Sequence, residues 1–351
     1  MSRLFFYQED LIMELYTEQG WLNFAYIKKN RQPFNIILGG RGIGKTYGAL
    51  EDCYLNPGKT LMLRTTQVQA DFISSTDTTP IKSVLDDHEQ MYVCKKVNKY
   101  MGAVWYALQD PAGETVRGDV ILRTAALSTF HNLRGFDGSV FDTLLYDEFN
   151  EEDGKTSRKG IANTFFNVYE TINRNRELKG QEPLTAYLFG NAIDIFNDIL
   201  IEFKLISKIC DMQRTGQEVC IMPDRGIALY VLQKSPISRK KEKTALYRAT
   251  GEGSFSDMAL KNVFKDVDYV GVKRLPLNQI KAVAGCGEIC LYKVKSTNKD
   301  YVSLHRQGSP KEYTQAEFVT VFDRIPFEIA FQKNITFDSP EAKVLIKRLF
   351  T

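Results

Sequence analysis

With 351 residues, 43% of them hydrophobic and 25% charged, the chain can bury a sizeable core, as two domains or as one large domain with an appendage. A formal net charge of +3 is too small to mark a nucleic-acid binder by composition, so any such contact must come from local basic patches. No apolar run approaches membrane-spanning length, and acids interrupt the opening MSRLFFYQEDLI, which excludes a spanning segment and argues against a signal peptide. The six cysteines (Cys53, Cys94, Cys210, Cys220, Cys286 and Cys290) make no disulfide-like framework, and no second pair or histidine completes a metal site around Cys286 and Cys290. Buried thiols in a soluble, intracellular protein are the expectation.

Residues 1–33, with Phe5, Phe6, Trp21, Phe24 and Tyr26, read as one or two amphipathic helices packing on a sheet. Phe34–Leu38 is an apolar run of strand length that feeds into Gly39, Gly40, Arg41, Gly42, Ile43, Gly44, Lys45 and Thr46. Those eight residues satisfy the phosphate-loop pattern G-x-x-x-x-G-K-[ST], and a helical pattern follows. Glycines let backbone N–H groups close around phosphate oxygens, and the helix start adds its amides and the positive end of its dipole. Lys45 supplies a mobile charge to the terminal phosphates and Thr46 a hydroxyl for Mg²⁺. A chance glycine turn would not need a strand before it and a helix after it. The stretch predicts a site for a nucleoside triphosphate, ATP, with Mg²⁺.

Further along, Thr60–Arg64 is a short buried-type strand after the Asn56-Pro57-Gly58 turn, and residues 68–90 are helical but broken at Pro80. Tyr92–Val97 and Val104–Leu108 pair around a turn at Gly102. Val120–Leu127 is a strand, Asn132–Gly138 a loop, and Thr143–Tyr146 a strand running into acid; a helix at 161–173 and a strand at Ala186–Phe189 follow. Strands alternating with helices after a phosphate loop predict a doubly wound, mostly parallel α/β sheet. Past residue 235 the character changes. The basic run SRKKEK (238–243) and the flexible GEGSFS (251–256) place a linker at 236–270 between a first domain, 1–235, and a small α+β domain, 271–351, with a hairpin around STNKD.

The acids Asp147 and Glu148 end an apolar strand at the edge where open α/β sheets bind ligands. Asp147 suits support of Mg²⁺ and Glu148 suits polarising an attacking water, which selects the hydrolysing, ASCE-type branch of phosphate-loop proteins. A plain acidic loop is the competing reading of this stretch. Asn191, in LFGNA, stands at a strand end from which it can reach the water or the γ-phosphate.

The ordered set GGRGIGKT, LRGFDG, LLYDEF, RNRE and FGNA, spanning roughly residues 30–195, resembles the DNA-packaging ATPases of phi29-like tailed phages, compact relatives of the large terminases. The resemblance implies that Lys45, Thr46 and Asp147 hold Mg²⁺-ATP, that Glu148 is the catalytic base and that Asn191 couples the site to motion. It implies that Arg134 regulates the glutamate and that Arg174 is an arginine finger acting on a neighbouring subunit. Such proteins form homo-oligomeric rings, typically pentamers, which drive double-stranded DNA through a viral portal into the procapsid in the host cytoplasm. Whether a packaging RNA takes part is left open, and no membrane is involved. The C-terminal part lacks the carboxylate trio of a terminase nuclease and resembles a degenerate RNase H-like domain used for docking, with Asp323 and Glu328 as surface acids.

The finger reading has a geometric side. Ile161, Phe165, Phe166, Val168, Tyr169 and Ile172 make one apolar helix face; at ~100° per residue Arg174 falls about 200° from Ile172 and Arg176 about 40° from it, provided the helix continues. Two basic groups are candidates for DNA contact, Arg239, Lys240, Lys241 and Lys243, and Lys155, Arg158 and Lys159, with a plain solvated face as the competing reading of each. A helicase-like motor of the same branch and a nucleotide-gated docking scaffold are the alternatives. The first lacks strand-separating elements, and the second has no need of Glu148.

Overall fold

The computed structural model describes residues 14–133, 135–149, 160–191, 197–233, 235–250 and 271–350. Arg134, the Lys155, Arg158 and Lys159 group, the GEGSFS loop and the aromatics Phe5 and Phe6 lie outside the described residues. The described residues fall into two compact units, one drawn from Met1–Ile193 and Gly216–Val263, the other from Asp194–Thr215 and Phe264–Thr351.

In the first unit the strands are β1 (Phe34–Gly39), β2 (Thr60–Arg64), β3 (Tyr92–Lys96), β4 (Met101–Gln109), β5 (Thr115–Ala126), β6 (Thr143–Asp147), β7 (Thr185–Gly190), β8 (Val219–Met222) and β9 (Ile227–Leu232). They form one nine-stranded sheet in the order β3-β4-β5-β2-β6-β7-β1-β9-β8. From β5 through β9 every pairing is parallel, while β3, β4 and β8 join antiparallel at the two edges. The parallel strands read as near-continuous apolar runs (NIIL, LML, LLY, AYLF, IALYVL) because the sheet's faces are covered. Asn35 is the exception. It is fully buried and satisfied, with Nδ2 donating to the Gln32 and Ala186 carbonyls at 2.6 and 3.1 Å.

The expected elements at 60–64, 143–147, 161–173 and 185–190 appear, and the 68–90 stretch divides into helices Gln67–Ile73 and Lys82–Asp87 on either side of Pro80. The hairpin between β3 and β4 turns at Asn98, whose Oδ1 accepts the Tyr100 and Met101 N–H groups at 2.8 and 3.0 Å, and not at Gly102. Gly102 lies inside β4, where Ser74 leaves no room for a side chain: a Cβ there would stand 2.6 Å from Ser74 Oγ. Of the stretch 1–33 expected to be helical, the described residues 14–33 hold one short helix, α1 (Phe24–Lys29), preceded by a tight turn over 17–21. Phe24 does pack on the sheet, 5.1 Å from the Tyr187 ring.

Strands β8 and β9 and two helices, Asp198–Glu202 and Ile206–Thr215, had no counterpart in the sequence reading. The two helices group with the C-terminal residues, so the second unit is discontinuous in sequence. The segment expected as an open linker contains helices Pro236–Lys241 and Ala245–Thr250, both grouped with the first unit.

The second unit holds strands β10 (Ile280–Cys286), β11 (Ile289–Val294), β12 (Asp300–Ser303), β13 (Lys311–Glu312) and β14 (Ile335–Phe337) in the order β13-β10-β11-β12-β14. The hairpin β11–β12 is antiparallel, as expected. Cys286 and Cys290 are buried free thiols. Within this unit helix Pro340–Leu349 is tied to the two inserted helices by Arg348–Asp198 at 2.6 Å and by Ser207 Oγ donating to Glu341 at 3.3 Å. Glu328 is not a surface acid: it is half-buried and pairs with Arg324 at 3.4 Å.

Candidate nucleotide site

Strand β1 ends at Gly39, and the chain then wraps over the start of helix α2 (Lys45–Leu55). Two loop positions need glycine. Gly42 has φ 62° and Gly44, which caps α2 in the left-handed region, has φ 97°. A side chain there would add strain to a loop that must present bare N–H groups. Ile43 anchors the loop from below: its side chain is fully buried, and its carbonyl accepts the Leu22 N–H at 2.9 Å.

Lys45 lies folded under the loop, only 7% exposed, with Nζ donating to the Gly39 and Gly40 carbonyls, both at 2.7 Å, and to Asn191 Oδ1 at 3.3 Å. Burial lowers its pKa to about 8; the Asp147 charge works against that shift and Lys241 adds to it. This is a cation held by weak neutral acceptors in a place built for an anion.

The register carries the remaining groups in. Asp147 pairs with Phe189 across β6–β7 and Leu38 with Gly190 across β7–β1, so the carboxyl ends of three neighbouring strands present Asp147, Asn191 and the loop side by side. Thr46 Oγ1 donates to Asp147 Oδ1 and Oδ2 at 3.1 and 3.2 Å. Asp147 is 4% exposed; burial pushes its carboxyl above the usual range, opposed first by the neighbouring Arg64 guanidinium. A threonine hydroxyl touching a buried carboxylate is a donor set that suits Mg²⁺, which takes few protein ligands and keeps waters and phosphate oxygens for the rest.

Glu148 follows in the left-handed region, φ 55°, with its side chain 58% exposed. The sequence reading passed over its partner. Arg64, the last residue of β2, pairs through Nη2 with Asp147 at 3.0 Å and through Nη1 with Glu148 at 2.6 Å. Its signal was visible: an arginine closing an apolar strand, on the same sheet edge as the acids. Thr65 and Tyr146 fix the two strand ends to each other by a buried hydroxyl pair at 2.9 Å.

Arg174 and Arg176 stand elsewhere. Helix Ile161–Asn173 stops one residue before Arg174, which caps it with φ 46°, and Asn175 follows with φ 57°. The extrapolated helical angles therefore do not apply. Arg174 donates to Asp137 Oδ1 at 3.1 Å and the Phe136 carbonyl at 3.0 Å and remains 45% exposed, while Arg176 donates to the carbonyls of Ser139 and Phe141. Neither lines the site's cavity of about 1430 Å³, whose walls include Trp21, Tyr47 and Lys241 besides the loop and the acids.

No protein-family model matches the sequence, and no curated protein matches it. Solved structures do. The chain is similar to a chain of the bacteriophage Phi-29 viral genome packaging motor assembly, with TM-score 0.63 and 14% identity over 94% of this chain and 98% of that one. It is similar to the Phi-28 gp11 DNA packaging motor, with TM-score 0.57 and 15% identity over 95% of this chain and 97% of that one. The resemblance read from the motifs thus extends to the backbone, and over nearly its whole length this chain has the fold of the phage packaging-motor chains.

Proposed function

We propose that the chain is an ASCE-type, ATP-driven motor that packages double-stranded DNA into a viral procapsid. The observation that carries this reading is the convergence of Lys45, Thr46, Asp147, Glu148 and Asn191 on one sheet edge beside the phosphate loop. In the proposed cycle, ATP phosphates enter the loop and Lys45 exchanges its carbonyl partners for phosphate oxygens. Thr46 and Asp147 would hold Mg²⁺, which would supply charge neutralisation to the phosphates. Glu148, once released from Arg64, accepts a proton from the water that attacks the γ-phosphorus. Asn191, bonded to Lys45, reports the phosphate state to the end of β7. Arg174 serves a neighbouring subunit of a homo-oligomeric ring, which the motif resemblance makes a pentamer, and Arg134 acts on the glutamate.

The second unit we read as the docking domain for portal or procapsid, with or without an RNA, and not as a nuclease. Its buried acid Asp300 is neutralised by Lys293 at 2.8 Å and Arg324 at 2.6 Å, and Arg324 also holds Glu328. Carboxylates committed to internal cations do not make a two-metal site. The degenerate RNase H-like origin and action in the host cytoplasm stay part of this proposal, and the docking domain takes residues 194–215 together with 264–351. Among the described residues no helix is long and apolar enough to cross a membrane.

The test is ATP hydrolysis by the full chain with and without double-stranded DNA, with oligomeric state measured in parallel. Hydrolysis that DNA accelerates, by an assembled form, is the expected result. A chain that binds ATP, assembles, and never turns it over would favour the docking-scaffold reading.

A further inference from the structure

The basic run SRKKEK, read from sequence as a solvated DNA-contacting patch, is turned partly inward. It forms helix Pro236–Lys241, which rests on the turn before α1: Ile237 N–H donates to the Gly20 carbonyl at 3.3 Å, and a Cβ on Gly20 would sit 2.9 Å from Pro236 Cβ. Lys240 Nζ donates to the Gln19 carbonyl at 2.8 Å. One residue on, Lys241 Nζ donates to the Arg41 carbonyl at 2.6 Å, inside the phosphate loop. A Cβ on Gly42 would stand 2.5 Å from that same ammonium. The glycine therefore clears the ground on which Lys241 approaches, as well as providing the positive φ. Lys241 lines the same cavity as Lys45 and Asp147. Among the described residues it makes no ion pair with a carboxylate.

Two ammonium groups therefore flank one loop, Lys45 beneath it on the Gly39 and Gly40 carbonyls and Lys241 outside it on the Arg41 carbonyl. The Lys241 charge lowers the readiness of Lys45 to carry its own, and burial does the same to both. Neutral carbonyls compensate a desolvated ammonium poorly, whereas phosphate oxygens compensate it well. We infer that Lys241 is a second nucleotide-binding cation, contributed in cis by the helix after β9, which leaves the Arg41 carbonyl to contact the phosphate chain of bound nucleotide. The inference rests on the nucleotide-site reading above. Its consequence is that the segment leading out of the first unit registers whether the loop is filled.

The experiment is equilibrium binding of AMP-PNP and ADP, each with Mg²⁺, to the full chain. Wild type is compared with Lys241→Met, which keeps the aliphatic stem, Lys241→Arg, which keeps the charge, and Lys240→Ala and Lys45→Ala as references. Loss of a charge-assisted contact is worth roughly tenfold or more in affinity. Lys241→Met should weaken AMP-PNP by about that factor and ADP by less, Lys241→Arg should recover most of the loss, and Lys240→Ala should leave both affinities unchanged. Equal affinities for wild type and Lys241→Met would overturn the assignment, as would a loss in Lys241→Met that Lys241→Arg shares in full, since that marks packing and not charge. If wild type binds neither nucleotide, or if Lys45→Ala binds as well as wild type, the nucleotide-site reading itself falls, and the role of Lys241 falls with it.

Discussion

Arg64 and Glu148, from the ends of two adjacent strands, are bonded at 2.6 Å, and the same guanidinium grips Asp147 at 3.0 Å. A carboxylate oxygen so held must leave the guanidinium before it can take a proton from water. The Glu148 side chain, 58% exposed, has room in solvent to leave the pair. Arg64→Ala should therefore raise hydrolysis in the absence of DNA and pull the ratio of DNA-stimulated to basal rate toward one. It should also lower thermal stability, since it leaves buried Asp147 without its cation. A variant that folds and keeps the wild-type ratio would show that the pair is only structural.

Glu148→Gln separates binding from chemistry. Lys45, Thr46 and Asp147 remain in place, so nucleotide affinity should hold while turnover falls by about 10²–10⁴-fold. Stopped-flow binding and steady-state hydrolysis on one preparation check both halves. Near-normal turnover would remove Glu148 from the mechanism.

Arg174 and Arg176 share one loop but hold it differently. Arg176 donates to two carbonyls, so Arg176→Ala should appear as a loss of stability. Arg174 pairs with exposed Asp137, a contact worth little in water, and is free to exchange it. Arg174→Ala should bind ATP and hydrolyse about 10³–10⁵-fold more slowly, the usual worth of an arginine finger. Mixing it with Lys45→Ala subunits should restore activity, because a subunit with a dead loop can still lend its arginine. Absence of any complementation between the two argues against action in trans.

Gly102 offers a test of packing remote from the chemistry. A methyl added there meets Ser74 and, 3.0 Å away, Thr124 Cγ2. Gly102→Ala should cost about 1–3 kcal/mol, as overpacking does. Adding Ser74→Gly should return part of it. Denaturant melts of the single and double variants decide this, and simple additivity would place the clash elsewhere.

Much of the first unit was legible because its parallel strands are buried on both faces and carry unmistakable apolar runs, and because the phosphate loop fixes what lies before and after it. Gly102 misled, since a glycine inside a strand and a glycine in a turn look alike until Ser74 is seen above it. Arg174 misled in angle, since nothing in RNRE announces that two consecutive residues adopt positive φ. Arg64 was read as the end of a strand and Lys241 as one of a basic group for DNA contact. Their roles depend on which strand lies beside β6 and on where the helix after β9 comes to rest, and both are set by pairings distant in sequence.

The full chain should not nick DNA, even with excess Mn²⁺, given that Asp300 and Glu328 are already held by Lys293 and Arg324. Agarose assays on supercoiled plasmid are sufficient. Metal-dependent nicking that one acid substitution within 271–351 abolishes would reinstate a nuclease. A fragment of 271–351 alone is the wrong reagent, for it lacks the helices that Arg348 and Glu341 grip.

That missing piece has a consequence for how the protein is made. On the ribosome, helices Asp198–Glu202 and Ile206–Thr215 emerge before β8 and β9, yet the strands and helix they belong with are synthesised only after residue 264. Strand β1, which carries the phosphate loop, in turn has no neighbour on its β9 side until residues 227–232 have been translated past that early pair. Neither unit can be finished before the other is begun. Their birth is interleaved: the first unit is complete in sequence at residue 263 with the 194–215 helices carried as an insert, which must wait for residues 264–351 to find their partners.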